Sequence, residues 1–380
     1  MGVHHVHGCL HSGRTLLAYI IAVMPLHFLQ VHHGDPGPTY RDYMASLAND
    51  PRVRLYGQAD IARFLEQKAE DSIASVHLEQ SDIPANGTLL AQLHRCRRVI
   101  VHSRDYAKAI EELISEHDLP NFEWHTPNAP PLRHARHTVN QEYLLHMINP
   151  YFNEAAFLAH GWQERLRPDR ERDHTFEVML GFRKTHRDFC QQWVTEHVPS
   201  EHYLMSEPWT PGVDYRVDQF PADSVFREPE MQSDPAYYTV KYLGKSMWQS
   251  MVLPIRLYER TQHSVVCETW SDVNFPTEKT IKPIMAQRLF VVLSHQGYMA
   301  YLRRLGFQTF GDIIDESYDS EPDDTRRWTM ALEQMRSLIG RPWPELRAKL
   351  QPVVAHNLQH LHTLPKEVLV TRIRETLAGL

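Results

Sequence analysis

Cysteine and glycine are scarce, at 4 and 16 residues in a chain of 380. Cys9, Cys96, Cys190 and Cys267 form no C-x-x-C pair, which argues against both a cysteine zinc site and a disulfide framework. A reducing compartment is the simplest expectation, so the chain is read as cytoplasmic. A membrane-spanning run is missing too. The longest apolar stretch, Thr15 to Leu29, is shorter than the ~20 residues a spanning helix needs, and Pro25 and His27 interrupt it. Arg14 precedes it but no small-residue cleavage site follows, so it reads as a buried first strand and turn rather than a signal peptide.

The common catalytic signatures are absent as well. There is no G-x-x-x-x-G-K-[ST], no G-x-G-x-x-G after a strand, no G-x-S-x-G and no H-E-x-x-H. No D-x-D pair is available to hold a metal on a nucleotide diphosphate. Hydrolase, kinase, dehydrogenase and metalloprotease readings weaken together. Nor does either charge dominate: 40 basic against 47 acidic residues leave −7 with neutral histidines. The surface as a whole is therefore not built to attract nucleic acid or anionic lipid. Hydrophobic residues at 42% and charged residues at 23% describe an ordinary globular protein, which excludes wholesale disorder.

Histidine is abundant, with 25 residues. "VHHVHG" (Val3–Gly8), "VHHG" (Val31–Gly34) and "HNLQHLH" (His356–His362) contain possible zinc or nickel ligands, and His356 and His360 have helical i, i+4 spacing. No acidic or thiol ligand stands in register with them, so neither a metal site nor a cofactor is expected.

Along the first half, short apolar strands precede amphipathic helices. Val53–Gly57 leads into a helix carrying Ile61, Phe64 and Leu65, and Arg97–Ser103 into one carrying Tyr106, Ile110, Leu113 and Ile114. His125–His137 is rich in proline and reads as a long loop. The mixed-charge run at 164–173 reads as a solvated connection between domains. The alternation then restarts with a strand at Thr175–Phe182, a helix at Thr185–Val198 and irregular chain over 201–240. Further on come a strand at His263–Trp270, a helix at Thr277–Gln287, a strand at Arg288–Ser294, and a helix ended by Gly306. Asp323 or Asp324 caps a helix with Trp328, Leu332, Met335 and Ile339 on one side, and helical chain broken at Pro344, Pro352 and Pro365 follows. Alternating strands and helices predict parallel sheets covered by helices. The expected α/β architecture is an N-terminal lobe over 1–165, a second over 174–320 and C-terminal helices over 321–380 that pack across both.

The most informative segment runs from Cys267 to Phe310. A strand ends at Glu268, and the helix after it opens with Thr277, Glu278 and Lys279. A helix N-terminus offers unpaired N–H groups and partial positive charge, to which Lys279 adds a full one. A carboxylate such as Glu278 can accept hydrogen bonds from two vicinal ribose hydroxyls, so the pair suits a nucleotide diphosphate. Alternatively, Thr277 merely caps the helix and Glu278 favours its dipole.

The order "TEKTIKPI", an apolar strand, "GYMAYLRRLGFQTF" and "DESYD" resembles a family of viral and bacterial proteins described as glycosyltransferases. It is also distantly similar to the donor-binding segment of α1,3-fucosyltransferases. The likeness is clearest over Val265–Asp319, with a weaker stretch at Val178–Phe189, "VMLGFRKTHRDF". It implies two facing Rossmann-like lobes of the glycosyltransferase B kind, with a nucleotide-sugar donor in the second. Carried over, Glu278 would hold the ribose and Lys279 the diphosphate, with Arg183 as second cation and Lys184, His186 or Arg187 in reserve. Glu268 would order the loop or touch the sugar. The fucosyltransferase continuation after Glu-Lys is replaced here by "TIKPI", so a fucosyl donor is not implied. The acceptor, a glycan, a protein or a modified nucleobase, is not indicated; a general base would come from the first lobe, where His102 and Asp105 near a strand end are candidates. The implied activity is metal-independent glycosyl transfer; a nucleotide- or sugar-binding protein without turnover, or a virion-associated structural protein, is the alternative.

Overall fold

The computed structural model describes residues 26–32, 45, 47–49, 53–67, 72–78, 92–93, 95–103, 122–126, 135–137, 141–208, 221–234, 239–271, 274 and 276–378. At 30–32, 58, 77–78, 102–103, 122–126, 135–137, 141–146 and 365–378 the description covers the backbone alone. The chain forms two compact units, one of residues 1–138 and 369–380, the other of 139–368. Both are α/β.

In the first unit six strands form one parallel sheet: β1 (Leu26–His32), β2 (Val53–Tyr56), β3 (Ser72–Leu78), β4 (Arg98–Ser103), β5 (Phe122–Thr126) and β6 (Ala135–His137). Their order is β2-β1-β3-β4-β5-β6, with every pair parallel. Leu26, Phe28, Ile73 and Ile100 share one core with Val53 and Leu47. Of the strand and turn expected over Thr15–Leu29, only Leu26–Leu29 lie within the described residues, and they belong to β1. β3 is not evident from the sequence pattern, because its Ser and Ala residues dilute the apolar signal. The expected loop at 125–137 contributes its two ends to β5 and β6. Helix α1 (Ile61–Leu65) follows β2, as expected. The expected helix after Ser103 lies outside the described residues.

The second unit has a four-stranded parallel sheet of β7 (His174–Val178), β8 (Tyr203–Met205), β12 (Thr261–Cys267) and β13 (Phe290–Leu293), ordered β13-β12-β7-β8. A small antiparallel sheet of β9 (Gln232–Ser233), β10 (Thr239–Tyr242) and β11 (Lys245–Trp248) occupies part of the expected irregular region and continues beyond it. Helices α2 (Gln141–Asn153), α3 (Ala155–Ala159) and α4 (Trp162–Arg165) belong to this second core, not to a lobe ending at 165. Met147, Ile148, Tyr151, Phe157 and Trp162 are buried with Phe176 and Val265, and the Tyr151 hydroxyl accepts from Leu253 N–H at 2.6 Å.

The mixed-charge run is consequently no free linker. Arg165 makes two 2.8 Å bonds to Glu259, Arg172 N–H reaches Gln262 at 2.8 Å, and Asp173 accepts from Arg260 at 2.8 Å. Arg165 and Asp173 have opposite charges as fixed partners on α6 (Ile255–Arg260), and Gln262 of β12 holds the Arg172 backbone, which a composition-based reading does not register.

Helices α5 (Thr185–His197), α7 (Glu278–Met285), α8 (Tyr298–Arg304) and α9 (Asp324–Arg336) complete the layers. Asp323 caps α9 by accepting from Arg326 N–H at 2.7 Å. The last helix, α10 (Trp343–Ala378), runs unbroken through all three prolines. Pro344 sits in its first turn, where an N–H needs no partner, and Pro352 and Pro365 each forfeit one bond. Two histidines on α10 act structurally. His356 and His360 donate to Gly306 O at 2.9 Å and Leu305 O at 2.7 Å, closing the C-terminus of α8. Gly306 has φ +92°, and a Cβ there would lie 2.7 Å from His360 Nε2.

Candidate functional site

The strand order of the second sheet locates a crevice before any side chain is considered. Connections leave β7 toward β8 and β12 toward β13, in opposite directions, so the chain diverges between the carboxyl ends of β7 and β12. Open α/β sheets bind ligands at such a point. With right-handed crossovers, α5 and α7 lie on opposite faces, and both begin at this edge. The N-cap of α5 is Lys184, and that of α7 is Thr277.

Glu268 follows β12 directly and is fully buried. Its Oε1 accepts from Thr277 N–H at 3.0 Å, the Thr280 hydroxyl at 2.6 Å and the Tyr298 hydroxyl at 2.9 Å. Its Oε2 accepts from Thr269 N–H at 3.0 Å and the Thr277 hydroxyl at 2.6 Å. Five donors on one carboxylate make Glu268 the organiser of the β12–α7 loop. Its backbone carbonyl is held by His186 Nε2 at 2.8 Å and Arg187 Nη2 at 3.0 Å. His186 and Arg187 are 1% and 3% exposed, and both are committed to the loop's backbone. Arg187 also donates to Phe182 O at 2.8 Å and lies so close to Gly181 that a Cβ there would be 2.9 Å from Nη1.

Two ammonium groups meet on Thr269. Lys184 Nζ donates to its carbonyl at 2.6 Å and Lys279 Nζ to its hydroxyl at 2.9 Å. Lys279 also donates to Glu278 Oε1 at 2.5 Å. Lys184 lies 4.0 Å from the ring centroid of Trp270, which is 45% exposed. Arg183 is exposed and bonds Asp188 at 2.9 Å. The structure thus gathers Lys184, Thr277, Glu278 and Lys279 around one loop, with Arg183 at the start of α5. His102 stands in β4 of the first unit, and Asp105 lies outside the described residues.

The field at this edge is positive. Burial lowers the His186 imidazole to about 4, with Arg187, Lys184 and Lys279 adding to the effect against its bond to Glu268 O, so it is neutral at pH 7. Burial would raise the Glu278 carboxyl, but Lys279 and Lys282 outweigh it and hold the group below its ordinary value. Sequence reasoning missed Lys282 and Trp270. Lys282 is 7% exposed and has no hydrogen-bond acceptor among the described residues. Burial lowers its ammonium to about 8, partly countered by Glu278. The signal available was its i, i+4 spacing from Glu278. Among residues with described side chains, no group of three His, Cys, Asp or Glu could hold a metal ion, and no helix is long and apolar enough to cross a membrane.

Lys282 gives a pH test of this electrostatic picture. Its folded pKa lies below the ordinary 10.5, so the folded state binds protons less readily and the charged lysine opposes folding at neutral pH. Lys282→Met should therefore stabilise the protein below pH 8, and the gain should fade between about pH 8 and 10.5. Urea melts of both proteins across that range check it; a gain independent of pH, or a loss at pH 7, contradicts the assignment.

Comparisons of the chain with protein-family profiles, with curated proteins and with solved structures find no match.

Proposed function

We propose that the second unit binds the diphosphate of a nucleotide sugar at the carboxyl edge between β7 and β12, and that the protein transfers the sugar to an acceptor hydroxyl. The observation that carries this reading is the meeting of Lys184 and Lys279 on Thr269, between two helix N-termini at the divergence point of a parallel sheet. An anion seated between these ammoniums and the helix ends is attracted by all of them. Glu278 accepts the ribose hydroxyls through Oε2, its Oε1 being taken by Lys279. Trp270 offers an aromatic face to the base or the sugar.

In the transfer, the acceptor oxygen bonds to the anomeric carbon while the bond from that carbon to the diphosphate oxygen breaks. The acceptor proton passes to a base, and the electron pair leaves on the diphosphate. Fixed cations stabilise that developing charge. Two such lobes are what the glycosyltransferase B architecture combines, and two parallel sheets of like strand order support that reading.

The test is a thermal-shift and calorimetric screen of nucleosides, nucleoside diphosphates and nucleotide sugars, with and without EDTA. A diphosphate at 100 times its dissociation constant should add about 2.7 kcal/mol of stability, and EDTA should leave that binding intact. Absence of any diphosphate binding overturns the site. Binding without sugar transfer to any acceptor from a glycan and nucleoside panel makes the protein a nucleotide-binding one instead.

A further inference from the structure

The strongest unassigned feature lies in the first unit and is a matter of register. His32 of β1 pairs with His77 of β3, His77 with His102 of β4, and His102 with His125 of β5. Four histidines therefore form one row across four adjacent parallel strands. Residues in register on neighbouring strands share a face of the sheet, and neighbouring strands lie about 4.8 Å apart. The row falls toward the carboxyl ends of its strands, and it includes β1 and β3, the pair from which the order β2-β1-β3-β4 diverges. This is the same topological position as the crevice of the second unit.

The rows behind it show what each face of the sheet carries. One residue back, on the opposite face, stand Val31, Val76, Val101, Trp124 and Ala135, as a helix-covered parallel sheet requires. Two residues back, on the histidines' own face, stand Gln30, Ser75, Ile100 and Glu123. Further back the same face carries Phe28 and Ile73, both in the core. On β1 and β3 the histidines' face changes from apolar Phe28 and Ile73 to polar Gln30 and Ser75 toward the carboxyl edge, while β4 keeps Ile100 on it.

We propose that this row, His32–His77–His102–His125, is a binding site for a divalent transition-metal ion of the zinc, cobalt or nickel kind. The chemistry of the donor set selects the ion: neutral imidazole is the commonest protein ligand for these metals, whereas calcium and magnesium take oxygen. Three histidines suffice for a site that keeps a position open to water or substrate. The four residues come from strands separated by up to 93 positions in sequence (125 − 32), so no local spacing announces them. The row belongs to the first unit and owes nothing to the nucleotide reading, which concerns the second.

The experiment uses the full chain, stripped by chelation and dialysed. Titration with Co²⁺ alone should give visible absorption bands saturating at one ion per chain, displaced by Zn²⁺. In a His77→Asn/His102→Asn double variant the affinity should fall at least ~10-fold, the least that removing even an outer partner of a metal site costs. Unchanged affinity in a folded double variant overturns the proposal. If the variant fails to fold, histidine acylation of the wild type by diethyl pyrocarbonate, read by peptide mass spectrometry, decides. Zn²⁺ should protect His77 and His102 together with at least one of His32 and His125; protection confined to His4, His5 and His7, or none, overturns the site. Loss of Co²⁺ binding with diphosphate binding intact separates this site from the one in the second unit.

Discussion

Glu268→Ala should destabilise the second unit by about 3–5 kcal/mol, among the largest effects of any single substitution near the site. The carboxylate collects two backbone N–H groups and three hydroxyls in a buried place. Hydroxyls can turn to other acceptors, but the N–H groups of Thr269 and Thr277 cannot. Each orphaned buried donor costs about 1–3 kcal/mol, and the emptied volume adds to it. Glu268→Gln keeps the volume and one acceptor, yet turns an NH₂ toward groups that themselves donate, so about 1–3 kcal/mol should be lost. Urea denaturation measures both. If Glu268 instead touched the sugar, the glutamine variant would keep its stability and lose ligand affinity; that outcome removes its role as organiser of the loop.

The loop also shows what a sequence can and cannot disclose. The helix start at Thr277, the strand before Glu268 and the α5 start at Thr185 are all legible, because caps and periodicity are local. Asp323 as cap of α9 is legible for the same reason. The fate of His186 and Arg187 is not. As part of "RKTHRD" they look like surface cations, and only the packing of α5 against β12 turns them onto the Glu268 carbonyl, 82 and 81 positions away. Arg183, a few residues earlier, remains outside because its backbone precedes the helix. The charges at 164–173 mislead for the opposite reason: a dense mixed run looks solvated until its partners on α6 and β12 are in place. The histidine row is invisible for the most general reason. Register between strands is a property of the sheet, so the sequence shows His32 only in a local "VHHG" run, His102 as a lone candidate base and His125 at the start of a loop.

Lys279→Ala should weaken nucleoside diphosphate binding by ~10- to 150-fold, the equivalent of losing one charge-assisted hydrogen bond at roughly 1.5–3 kcal/mol. The free nucleoside should be affected far less, and the loss should shrink as salt rises, because Lys279 is only partly buried. Lys184→Ala should follow the same pattern. Both ammoniums meet on Thr269, so the double variant should be non-additive, residues that share a partner being coupled. Arg183→Ala should have the smallest effect of the three, since its guanidinium is exposed and bonded to Asp188. Glu278→Gln separates binding from capping. If Glu278 only serves the helix start, the change should cost a few tenths to ~1 kcal/mol of stability and leave affinities alone. If it grips the ribose, nucleoside and diphosphate should weaken together, in contrast to the lysine variants. Calorimetric titration of each variant with a nucleoside and its diphosphate, below its melting temperature, distinguishes these patterns. Equal affinities in wild type, Lys184→Ala, Glu278→Gln and Lys279→Ala would remove the donor site, and with it the case for glycosyl transfer.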